Sequence, residues 1–106
     1  MHETIIASEI IKEAESHGKV KEIYLEIGEI APVPAEELVD CITTLTGWKV
    51  IHKEIASIVR CQCGYKGRAK IIVRGHDSCL IECQKCKMTP DIISGKEIKV
   101  TSVVVD

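Results

Sequence analysis

Four thiols in two short pairs, Cys61-Gln62-Cys63 and Cys83-Gln84-Lys85-Cys86, with nineteen residues between them, form the strongest chemical pattern in this sequence. Thiolate sulfurs bind zinc at about 2.3 Å, and a pair on a short turn presents both sulfurs to one side of the ion. Two such pairs close a tetrahedral sphere. A closed sphere has no position for water or substrate, so the expected ion holds structure and does no chemistry of its own. Gly64, directly after Cys63, suits the tight turn such a pair needs. An iron–sulfur or rubredoxin-like iron site and a redox disulfide are the other readings of the same cysteines. The first pair is tighter than the common Cys-x-x-Cys. Cys79, four residues before Cys83, is the substitute ligand if that chelate is strained, and otherwise a small buried apolar residue, as Cys41 is.

A second candidate site opens the chain at Met1-His2-Glu3. The α-amine, the peptide nitrogen of His2 and the His2 imidazole can wrap one metal in two fused chelate rings. Nitrogen donors in a plane suit Ni(II) or Cu(II) better than zinc. Taken alone, a histidine at position 2 is an ordinary terminal residue. His76, in Arg74-Gly75-His76-Asp77, is a loop histidine that is either an additional ligand to that site or part of a solvated turn. His17 and His52 read as surface residues. The sequence has no phosphate-cradling glycine loop and no nucleophile with a base, so no catalytic residue and no enzyme activity are expected.

A chain of 106 residues has room for one compact domain, or a small domain with a metal-stapled lobe too short to bury its own core. Aromatic residues make up 3% and Phe is absent, so the core must be aliphatic. A net charge of −2 with acids and bases interspersed offers no long-range basic field for nucleic acid or an anionic membrane. His2, Glu3, Glu9, Lys12 and Glu13 stand where a signal peptide needs an apolar run. The expectation is a cytoplasmic protein, in which reduced cysteine pairs bind metal. No apolar run approaches the roughly 18 residues that span a bilayer.

The sites must be positioned by few elements. Ile6, Ile10 and Ala14, with Ile5 and Ile11 beside them, predict an amphipathic helix over Thr4 to Ser16 that stops at Gly18. Val20 to Ile30 alternates Ile23, Leu25 and Ile27 against Tyr24 and Glu26, a half-buried strand. Pro34 begins a second helix with Leu38, Cys41, Ile42 and Leu45 on its buried face, ended by Gly47. Strands follow over Lys53 to Arg60 and Glu97 to Val105, the latter with Ile98, Val100 and Val104 on one side and Val103 and Val105 on the other. A hairpin pairs Ala69 to Val73 with Ser78 to Glu82. Three strands need both helices against one face to be stable. The expected fold is α+β, a three-stranded, mostly antiparallel sheet with two helices, its last strand returning past an inserted zinc-ribbon-like lobe. Residues 1–59 and 96–106 then make the α+β domain and 60–95 the metal lobe.

Met1-His2-Glu3 opening a helix, Leu25-Glu26-Ile27-Gly28-Glu29, the two cysteine pairs, and Ser94-Gly95-Lys96-Glu97 before the last strand occur in an order that resembles the HypA/HybF family of nickel metallochaperones for hydrogenase maturation. The resemblance runs the whole length. It implies a nickel-binding α+β domain carrying a zinc lobe inserted before the last strand. It also implies His2 as the essential nickel ligand, with the Met1 amine beside it and Glu3 orienting the site or meeting a partner. Cys61, Cys63, Cys83 and Cys86 would take structural Zn(2+), while Ni(2+) is cargo. Cys61-Gln62-Cys63 is one residue short of the family's usual pair. Implied partners are a hydrogenase maturation GTPase and the large subunit of a nickel–iron hydrogenase, with urease a second route, and no nucleic acid or membrane; the chain would be a monomer or homodimer. The rival functions are a zinc-ribbon module for nucleic acid or protein interaction, which the near-neutral charge and scarce aromatics oppose, and a rubredoxin-like electron carrier.

Overall fold

The computed structural model describes residues 2–75 and 79–106, with His2 and Glu3 described in backbone only. Among the described residues ten elements follow in order: α1 (His2–Glu15), β1 (Val20–Gly28), α2 (Ala35–Thr46), β2 (Lys49–Ile55), β3 (Ile58–Arg60), β4 (Lys66–Gly67), β5 (Lys70–Arg74), β6 (Cys79–Glu82), β7 (Asp91–Ser94) and β8 (Ile98–Val105). They form three sheets, ordered β2-β1-β8, β4-β3-β7 and β5-β6. The fold is α+β with a ribbon-like lobe between β2 and β8.

In the first sheet β8 runs antiparallel to β1, and β2 runs parallel to it. A parallel neighbour needs a crossover, and α2 supplies it. Both helices cover one face. Ala7, Ile10 and Ala14 of α1, Ile23, Leu25 and Ile27 of β1, and Leu38 and Ile42 of α2 make the aliphatic core.

The structure corrects several details of the expected elements. Pro34 is the residue before the second helix, with its extended backbone capping α2, and Gly47 closes that helix with its N–H on the Thr43 carbonyl. Leu45 lies 56% exposed and Ile5 61% exposed, off the buried faces of their helices. The strand expected over Lys53 to Arg60 is two strands. β2 starts earlier and stays with β1, and after Ala56 and Ser57 the chain turns into the second sheet as β3. In β8 a bulge places Ser102 opposite Tyr24 and Val100 opposite Leu25, leaving Thr101 as the extra residue. The bulge reverses the alternation. Ile98, Val100 and Val103 therefore pack on the core, and Val104 points away from it.

A second, smaller core joins Val59, Ala69 and Ile81 to Ile30, which reaches in from the end of β1. Two cores in series make the molecule long, 51 × 23 × 16 Å, with a radius of gyration of 15.5 Å; a single compact domain of this size has about 13 Å. Charge is divided in the same way, contrary to the expected interspersion. Residues 58–95 carry seven Lys and Arg against three acids, and the rest of the chain seven against thirteen. No helix among the described residues is long and apolar enough to cross a membrane.

Candidate metal centre

The cysteine pairs lie on two turns of the lobe. In the first, between β3 and β4, Gly64 N–H donates to the Cys61 carbonyl at 3.0 Å and Cys61 N–H to the Tyr65 carbonyl at 2.9 Å. Gly64 holds φ at 95°, a conformation costly for any residue with a Cβ. In the second, between β6 and β7, Cys83 N–H donates to the Met88 carbonyl at 2.7 Å and Lys87 N–H to the Cys83 carbonyl at 3.0 Å. The amides of Lys85 and Cys86 lie 3.4 and 3.5 Å from Cys83 Sγ.

These turns bring all four sulfurs within 4.8 Å of one another. Cys61 and Cys86 approach to 3.3 Å, and Cys63 and Cys83 to 3.7 Å. Four bonds of about 2.3 Å to a central ion give a tetrahedron with edges of about 3.8 Å, so the group has the size of a metal–tetrathiolate. The Cys-x-Cys spacing reaches the site without help from Cys79, which packs against the Ile30, Val59, Ala69 and Ile81 cluster. Cys41 is half-buried on α2 beside the main core.

Crowding moves Cys83 and Cys86 in opposite directions. Burial pushes the Cys83 thiol up, but the Cys86 and Lys85 amides and the Cys63 thiol outweigh it and bring it down to about 6. The Met88 amide favours the Cys86 thiolate, yet the Cys61 thiol, burial and the other two thiols push it up to about 12. Crowded thiols resist becoming four anions together. A cation at the centre removes that resistance and collects all four as thiolates.

The backbone of His2 and Glu3 opens α1, while Met1 and His76 lie outside the described residues. Sequence reasoning missed a buried carboxylate at the junction of the two cores. Glu29 follows β1, and its side chain is 2% exposed. Arg68 Nε donates to Glu29 Oε1 and Oε2 at 2.9 and 3.0 Å, and Nη2 to Oε1 at 2.7 Å. The Ser57 N–H and hydroxyl both donate to Oε2, at 2.5 and 2.6 Å. Burial alone would raise the Glu29 carboxyl, but the Arg68 and Ser57 hydrogen bonds hold it below its ordinary value. A signal was present: position 29 continues the inward parity of Ile23, Leu25 and Ile27, and a carboxylate there requires buried donors.

Around Glu29 the backbones close tightly. Gly28 N–H donates to the Glu97 carbonyl, Glu29 N–H to the Ile55 carbonyl and Ile30 N–H to the Gly95 carbonyl, at 2.8 to 3.0 Å. A methyl group at Gly28 would overlap the Gly95 carbonyl, and one at Gly95 would overlap Ser57. Glu97 Oε2 accepts the Gly95 N–H at 2.9 Å. The segments Leu25 to Glu29 and Ser94 to Glu97 therefore meet at one junction.

The family model described as hydrogenase/urease nickel incorporation, metallochaperone, HypA, matches residues 1–105. The chain belongs to the HypA family. It is 31% identical over 110 residues to the hydrogenase maturation factor HypA of Methanocella arvoryzae, covering 92% of each chain. With the corresponding factor of Methanosarcina acetivorans it shares 28% over 128 residues, covering 100% of this chain and 96% of that one. The solution structure of the Ni metallochaperone HypA from Helicobacter pylori has a TM-score of 0.60 at 18% identity, over 97% of this chain and 96% of that one. A second HypA solution structure has a TM-score of 0.54 at 21% identity, over 99% and 96%. These two neighbours share the HypA fold, lobe included. Membership makes this a protein of a nickel-incorporation metallochaperone family, in place of the nucleic-acid and rubredoxin-like readings.

Proposed function

We propose that this chain carries Ni(II) at its N-terminus and passes it toward a nickel–iron hydrogenase, while Cys61, Cys63, Cys83 and Cys86 hold a structural zinc. The observation that carries this reading is a HypA-family match that begins at residue 1 and so includes Met1-His2-Glu3. The His2 imidazole, the Met1 amine and the intervening peptide nitrogen are the proposed donors. Because α1 begins at His2, that peptide nitrogen lies in the first turn, whose N–H groups have no intrahelical acceptor and can be surrendered to a metal. Glu3 orients the site, and His76 is the candidate further ligand. Transfer is ligand exchange, with no catalytic step.

The zinc reading is supported by the spacing of the sulfurs and by the saturated set of four thiolates, which leaves no position for a fifth donor. Zinc then staples residues 60–95, a lobe whose buried core is only a few side chains. A maturation GTPase and the hydrogenase large subunit are the proposed partners in the cytoplasm, with urease a second destination.

Exchange of His2 for Ala should abolish stoichiometric nickel binding and leave zinc content unchanged, as measured by calorimetry and metal analysis on untagged protein. Retained one-to-one nickel affinity in His2→Ala would overturn the site.

A further inference from the structure

Arg68 is bonded in two directions. Its guanidinium grips Glu29 on the body of the protein. Its backbone carbonyl accepts the Gln84 side-chain amide at 2.8 Å and the Tyr65 hydroxyl at 2.8 Å. Gln84 sits inside the Cys83–Cys86 turn, and the Tyr65 carbonyl closes the turn that carries Cys61 and Cys63. Ser57 adds a third strand to the network, since its hydroxyl donates to Glu29 and accepts the Ala69 N–H at 3.1 Å. Both cysteine turns are thus two hydrogen bonds away from the buried carboxylate at the junction of the two cores.

We infer that Glu29, Arg68 and Ser57 form a clamp linking the metal held by the four cysteines to the seating of their lobe on the body. With the ion in place the two turns are fixed, Gln84 and Tyr65 hold the Arg68 carbonyl, and the guanidinium is presented to Glu29 as a fork. Without the ion the turns lose their common centre, and Arg68 loses the support that aims it. Linkage is reciprocal, so an intact clamp must also tighten binding of the ion, and it slows release because the two turns must open before a competing chelator reaches the sulfurs. Arg68 and Glu29 are positioning residues here, since neither touches the metal. The inference rests on the reading of the thiols as a zinc site.

Its test uses the full-length protein loaded with zinc. The rate of zinc transfer to a chromophoric chelator is compared in wild type, Glu29→Gln, Gln84→Ala and the double variant. Gln84→Ala leaves the Glu29–Arg68 pair itself intact. Gln84→Ala should speed release about five-fold, the worth of one hydrogen bond of about 1 kcal/mol, Glu29→Gln at least as much, and the double variant should release no faster than the quicker single, because both cut the same chain. Residual dipolar couplings provide an arm that needs no mutation. The two lobes of wild type should share one alignment when loaded and separate alignments after chelation. Wild type that fails to take up one zinc would remove the metal reading and the linkage with it. Stoichiometric zinc with unchanged release rates, multiplying effects in the double variant, or one shared alignment in both states would leave the zinc site standing and overturn the clamp.

Discussion

A carboxylate withdrawn from water keeps its charge only where donors replace the water, and Glu29 has them: the Arg68 fork and both Ser57 donors. Its folded pKa therefore lies below its unfolded value near 4.5. The group contributes stability that is fully present above the unfolded pKa and is lost as pH falls through the folded one. Glu29→Gln keeps the shape but gives up charged hydrogen bonds, and at pH 7 should cost about 2 kcal/mol. Urea unfolding of both proteins at pH 7 and pH 3.5 checks this: the gap between them should narrow at the lower pH. A gap that is constant would mean that the wild-type carboxyl is not the charged partner assigned to it. At this scale the cysteines were legible because metal chelation dictates their spacing, whereas Glu29 was not picked out. Its partners Ser57 and Arg68 stand 28 and 39 residues away, and no local pattern brings them together.

The helices and β1 could be read from sequence because their periodicities arise within each segment. The places where reading failed are those where a neighbouring element decides. Thr101 bulges out of β8 and turns Val104 outward, although its valine run is compatible with either register. The direction of β2 depends on the crossover by α2. The break at Ala56-Ser57 reflects the need of β3 to join a different sheet, for which the run Lys53 to Arg60 contains no proline or glycine signal. The junction of Gly28 with Gly95 belongs to the same class, and it can be tested against a control. Gly47 and Gly95 both hold positive φ, 74° and 105°, but a Cβ at Gly47 meets nothing, whereas at Gly95 it overlaps Ser57. Gly47→Ala should cost about 1 kcal/mol, the backbone strain alone. Gly95→Ala should cost at least about 2 kcal/mol more, since strand backbones must move apart. Equal losses in thermal unfolding would mean that the close approach of these segments is not what holds the junction.

At the scale of the whole molecule, two cores divide the work expected of them: the backbone of the proposed ligand His2 opens α1 on the acidic body, and the thiols occupy turns of the basic lobe. The overall α+β plan with an insertion was legible, because a cysteine lobe between two apolar strands has few other ways to fold. The separation of charge was not, because it appears only when residues 58–95 are counted apart from the rest. Two metals on different donors, in different lobes, should respond differently to acid. Protons compete with nickel for an α-amine and an imidazole with ordinary pKa values of about 7.8 and 6.5. Nickel affinity should therefore fall steeply from about pH 7.5 to about pH 5.5. Four thiolates already assembled around zinc hold their protons off more strongly, so zinc should remain bound over most of that window. Residues added before Met1 remove the free amine and should weaken nickel at either pH, again without loss of zinc. The measurement is nickel calorimetry on the native and extended chains at both pH values, with zinc content followed in parallel. Equal nickel affinity in all four titrations would show that neither the terminal amine nor His2 controls binding, and joint loss of both metals would show that the two sites are not separate.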